Sequence, residues 1–177
     1  MDLSVGRLIA PFEEAAAIAF ERRGLLYAPE WRKCADNIAQ IDIFNLASVN
    51  AFIEYISKVE KRSQATNLRH LPTHVYDVWL PFDFEPTTEP EISDGYWPVP
   101  LLSSPRLLAE LDQIRGLSDL DIGRVPSGYE LMRNNPKEFY KSEVQLDENT
   151  MIQWVWQGLH DAAELSVQHS APVLASE

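Results

Sequence analysis

The sequence predicts a mainly α domain of about five to seven helices, with a proline- and aromatic-rich central segment and at most a small β element. Three observations predict this. Apolar residues recur at helical spacing through 11–66 and again through 105–170. Pro11, Pro29, Pro105 and Pro136 stand where helices begin, since a first-turn proline lacks only an N–H that has no partner anyway. Between the two helical regions, residues 70–105 hold no Lys or Arg, six carboxylates, six aromatics and seven of the twelve prolines. A length of 177 residues suits one globular domain over 1–177.

In chain order, Pro11 opens a first helix, Glu13 and Glu14 suit the positive end of its dipole, and Gly24 closes it. Pro29 opens a second, with Trp31, Cys34, Ala35, Ile38, Ile41 and Asn45 as its stripe. Val49, Phe52, Ile53, Ile56 and Val59 or Glu60 mark a third, and short connections suit an antiparallel bundle of the three. Val75 to Leu80 alternate as a short strand that Pro81 ends. The prolines at 81, 86, 90, 98 and 100 rule out helix from Phe82 to Pro100. Helix returns at Ser104-Pro105, with Leu107, Leu108, Leu111 and Ile114 inward. Ser118 opens a single turn, Ser127 caps a short helix over 129–133, and Asn135-Pro136 starts another. Asp147 or Thr150 caps the last and longest helix. Its buried stripe is Met151, Ile152, Val155, Leu159, Ala162, Ala163 and Ser166, and it is expected to be the spine of the core.

The net charge is −12. Residues 1–69 balance nine acids with nine bases; 70–105 and 106–177 each contribute −6. This argues against binding nucleic acid or an anionic membrane, both of which call for a basic footprint. It suits a basic protein partner, reached by electrostatic steering. The lone Cys34 allows no intrachain disulfide and favours a reducing compartment. No secretory signal or bilayer-length apolar run is present, so a cytoplasmic location is expected.

Chemistry-bearing motifs are absent: no Gly-x-Ser-x-Gly, no Walker loop, no Gly-x-Gly-x-x-Gly. His70, His74 and Asp77 have superficial metal-ligand spacing, but Pro72 breaks the helix that would align them. No catalytic residue, metal or cofactor is expected. The expected site is a partner-binding surface of Asp77, Trp79, Asp83, Glu85, Glu89, Glu91, Asp94 and Trp97. Aromatics anchor interfaces, carboxylates set orientation and on-rate, and prolines limit the entropy lost on docking. One alternative is a small carbohydrate hydrolase using Asp83 and Glu85 as its carboxylate pair. A subunit of a bacterial or phage assembly is another.

The run Trp154-Val155-Trp156-Gln157-Gly158-Leu159, continuing Asp161 to Ser166, resembles closing helices of the immunity proteins that bacteria make against polymorphic toxins. The small, acidic, motif-free character is similar too. The resemblance implies a non-catalytic inhibitor that docks acidic and aromatic side chains into the cleft of a cognate toxin. A basic nuclease toxin suits the charge best. No functional residue carries over from it.

Overall fold

The computed structural model describes residues 1–22, 33–43, 46–63, 68–72, 76–89, 99–141 and 146–176. They form an α/β fold, which corrects the mainly α expectation. In chain order the elements are β1 (Asp2–Val5), α1 (Ala10–Arg22), β2 (Ala39–Asp42), α2 (Leu46–Ser63), β3 (Val78–Leu80) and β4 (Thr87–Glu89). Then follow β5 (Val99–Ser103), α3 (Ser104–Leu117), α4 (Tyr129–Asn134), α5 (Pro136–Lys141), α6 (Glu148–His169) and β6 (Val173–Ser176). The six strands make one mixed sheet in the order β2-β1-β6-β3-β5-β4. Only β3 and β5 run parallel, with Val78 opposite Leu101 and Leu80 opposite Ser103. The terminal strands β1 and β6 pair antiparallel inside the sheet, Leu3 opposite Ala175 and Val5 opposite Val173.

Side-chain alternation divides the sheet between two apolar layers. Leu3, Val5, Ile41, Trp79, Leu102, Val173 and Ala175 face α2, α3 and α6 in the larger core. Val78, Leu80 and Leu101 point the other way, against Ala15, Ala16 and Phe20 of α1 and the ring of Phe84. Helices on both faces of a partly parallel sheet are the usual way to cover it. The bundle expected for the first helices is therefore corrected: α1 and α2 lie on opposite faces. Helix α6 is the spine foreseen, packing on α2, α3 and the strands β1, β2 and β6. Its start is Asp147, whose carboxylate accepts from Thr150 N–H at 2.9 Å. Gly158 lets α6 approach the sheet, since a Cβ there would stand 2.3 Å from Ile43 Cγ2.

The second expected helix is also corrected. Residues 39–42 are strand β2, with Ile41 opposite Leu3. Its proposed start at Pro29 and Trp31, its end at Asn45 and the Gly24 cap lie outside the described residues. The turn at Ser118 is not helical: Ser118 Oγ accepts from Leu120 N–H at 3.0 Å in a local loop. Ser118 and Asp119 are tied to α2 through the Tyr55 hydroxyl.

Candidate functional site

Asp83 and Glu85 follow β3 on backbone that is neither helix nor strand, two residues apart. Both exposed carboxylates accept hydrogen bonds from Arg106, Asp83 from Nε and Glu85 from Nη1. Arg106 lies in the first turn of α3, where a cation is disfavoured by the helix dipole, and the two acids offset that. The Arg106 bond holds the Glu85 carboxyl below the usual glutamate range. The cluster carries one net negative charge and two outward-facing carboxylates.

Its support is buried. Ser103 ends β5 and caps α3: its hydroxyl accepts from Arg106 N–H at 3.3 Å and donates to Phe82 O at 2.8 Å. The Ser103 N–H donates to His70 Nδ1 at 2.9 Å. His70 is 2% exposed. Its own N–H donates to Glu110 Oε2, and Arg69 N–H to Oε1, each at 2.8 Å. The Trp79 indole donates to His70 O at 2.7 Å. His70 Nε2 has no hydrogen-bond partner among the described residues. Burial, then the nearby Arg106 charge, lowers the His70 pKa to about 4. Burial raises that of Glu110, against the two backbone N–H groups it accepts. Arg69, His70, Glu85, Arg106, Glu110 and Gln113 line an open cleft of about 410 Å³.

The expected site residues separate on this frame. Asp83 and Glu85 are brought together at the surface. Asp77 and Trp79 are corrected: both are 0% exposed, and neither is presented to a partner. Strand β3 is buried on both faces, and Asp77, the residue before it, is buried with the Trp79 indole. Glu89 lies on β4, its backbone opposite Val99. Glu91, Asp94 and Trp97 lie outside the described residues.

Arg106, His70 and Glu110 were not among the expected site residues. Glu110 carried a signal, because it falls within the apolar stripe of Leu107, Leu111 and Ile114. A carboxylate in such a stripe is buried only with donors at hand. His70 pairing with Ser103 and Arg106 reaching Asp83 span 33 and 23 residues, and no local pattern shows either.

His160, Asp161 and Glu164 place ligand atoms within 4.8 Å of one another. Asp161 is already occupied as an acceptor, from Tyr129 OH at 3.0 Å, Arg133 Nη1 at 2.7 Å and Gln157 Nε2 at 2.9 Å. The His160 ring stacks on Trp156. These contacts dock α4 on α6 and satisfy the carboxylate without an ion. Burial raises the Cys34 thiol above its usual value, which makes it a poor nucleophile.

A family model described as "Putative DNA-mimic protein" matches residues 35–175. The chain belongs to that family. No curated protein and no solved structure matches it. A DNA-mimic family is one of protein-binding proteins, so protein binding, the coarser part of the functional expectation, stands. The partner expectation is corrected. Such a family implies a DNA-binding protein rather than a basic cognate toxin, and nucleic acid enters as the molecule imitated. The acidity that argues against binding DNA is the property that standing in for DNA requires. Nothing in the match concerns immunity proteins. Among the described residues, no helix is long and apolar enough to cross a membrane.

Proposed function

We propose that the protein is a non-catalytic DNA mimic that occupies the DNA-binding surface of a DNA-binding protein. The observation that carries this is the family match over residues 35–175. The charge of −12 supports it, because affinity for DNA comes largely from phosphate contacts that carboxylates can replace. A mimic needs carboxylates held outward in fixed positions. Arg106 holds two, at Asp83 and Glu85, without neutralising both. Glu130, Glu148 and Glu164 add exposed carboxylates with no ion pair among the described residues.

The same geometry counts against the hydrolase alternative. A general acid needs a raised pKa, whereas Arg106 lowers that of Glu85. Trp79, the tryptophan nearest this pair in sequence, is buried and cannot stack on a sugar.

The test is a charge-neutral, nearly isosteric variant, Asp83→Asn with Glu85→Gln. Host extract is passed over the immobilised full chain at low salt and eluted by a salt gradient. The reading predicts that captured DNA-binding proteins leave the variant at lower salt than the parent, with the variant's circular dichroism unchanged. Identical elution from both would remove Asp83 and Glu85 from the docking surface. Capture of no DNA-binding protein by either would overturn the function.

A further inference from the structure

We propose that His70 is an acid-sensitive latch that holds the Asp83–Arg106–Glu85 cluster in its docking geometry and releases it when the imidazole is protonated. Hydrogen-bond polarity fixes the tautomer of the ring. A neutral imidazole has one donor and one acceptor nitrogen, and a protonated one has two donors. His70 Nδ1 accepts from Ser103 N–H, so Nδ1 carries no proton and the single ring proton sits on Nε2. Protonation places an N–H at Nδ1 against the N–H of Ser103, and that bond must break.

The break falls at a junction. Ser103 is the last residue of β5 and the cap of α3. Its hydroxyl joins Arg106 N–H to Phe82 O, the residue before Asp83. Both halves of the cluster therefore hang from the residue that His70 anchors. The His70 backbone is held from two sides, by Glu110 and by the Trp79 indole, so the ring is the part able to move. Nε2 gives it no second anchor among the described residues.

The charged groups around the ring come from every neighbouring element. Arg106 and Arg69 oppose protonation, while Glu85 and Asp83 favour it. Glu110, on the same helix as Arg106, binds the His70 main chain. Burial outweighs the acids, and the ring titrates at about 4, below the ordinary 6.5. Arg106 holds the Glu85 carboxyl below its usual range. The bearing on partner docking rests on the function proposed above; the latch itself is a property of the isolated chain.

The experiment is an NMR titration of the full chain from about pH 7.5 to about pH 3.5, a range that spans free and buried histidine. It follows the His70 ring, the Ser103, Asp83 and Glu85 amides and the Arg106 Nε–H, with α6 amides reporting the intact fold. Parent, His70→Gln and Glu110→Gln are compared. The glutamine at 70 keeps an acceptor for Ser103 and cannot titrate. The expected result is one shared transition at about pH 4 in the parent. It persists in Glu110→Gln and is lost in His70→Gln. His70 titrating at its ordinary value would overturn the latch. So would a transition that survives in His70→Gln, or one that vanishes in Glu110→Gln, or loss of the α6 signals before the transition. If His70→Gln does not fold, the parent and Glu110→Gln decide: a His70 transition that leaves Ser103 and Arg106 unmoved refutes it. This result is independent of any partner, so a failed latch and a failed function are told apart.

Discussion

Replacing Gly158 with alanine should destabilise the protein, although the same change ordinarily stabilises a helix. In an open helix interior, Gly→Ala gains about 1 kcal/mol from backbone entropy. At 158 the added methyl would stand 2.3 Å from Ile43 Cγ2 and 3.4 Å from Ile41 Cγ2. Ile43 is fully buried, and its β-branched side chain has few rotamers to yield. Overpacking of this kind costs about 1–3 kcal/mol, which outweighs the propensity gain and leaves a net loss of about 1 kcal/mol. Gly116 is the matched control. It lies in α3 with nothing within 4 Å of its Cβ position. Alanine there should be stabilising by up to about 0.8 kcal/mol. Urea denaturation of the two variants reads both signs, provided the slopes agree with the parent. If Gly158→Ala proves as stabilising as Gly116→Ala, α6 does not rest on the Ile41–Ile43 segment and the packing derived above is wrong.

Acid should weaken the fold through His70. Its folded pKa of about 4 lies below the ordinary 6.5, so the unfolded chain takes up more protons between those values. The stability this group contributes is fully present above its unfolded value and is lost as pH falls toward 4. A gap of this size corresponds to about 3 kcal/mol. His70→Gln should flatten that part of the stability–pH curve; an unchanged slope would show that His70 is not depressed. Asp161→Ala should cost about 1–3 kcal/mol in urea, chiefly because the buried Tyr129 hydroxyl loses its acceptor. The ion pair to the half-exposed Arg133 adds little. A loss below about 0.5 kcal/mol would show that Asp161 does not hold α4 on α6.

The helices were legible because their signals are local and repeated. The Asp147 cap, the proline starts at 105 and 136 and the stripe of α6 all appear at 3.6-residue spacing or as single residues of fixed role. Of the strands, β3 was foreseen within Val75 to Leu80, and the others were hidden for three separate reasons. β1 and β6 have four residues each, too few for a pattern, and they pair across the whole length of the chain. β5 is buried on both faces, so Leu101-Leu102 lose the polar alternation that marks a half-exposed strand. Pro100 also removes a ladder donor from β5, which reads as loop. At β2, Ile41 and Ile38 just before the strand happen to continue a spacing begun at Cys34, and tertiary pairing with β1 overrides it.

The candidate site was half legible. The acid-only composition of 70–105 pointed to Asp83 and Glu85, because a run without a single cation is visible in sequence. The burial of Asp77 and Trp79 was hidden by the same feature, since composition does not say which way a side chain points. Arg106 stands one residue past the acidic segment and was counted with the following helix. Its role exists only once β5 turns into α3 and brings it back over Asp83.

Competition with duplex DNA decides whether this protein stands in for DNA. A DNA-binding protein captured from the host is bound to fluorescently labelled duplex, and the purified full chain is titrated against it while anisotropy is read. The account predicts that the duplex is displaced in a saturable, salt-dependent manner, and that Asp83→Asn with Glu85→Gln shifts the curve to higher concentration. A captured protein that binds the chain and the duplex at the same time, with anisotropy undiminished, would contradict it.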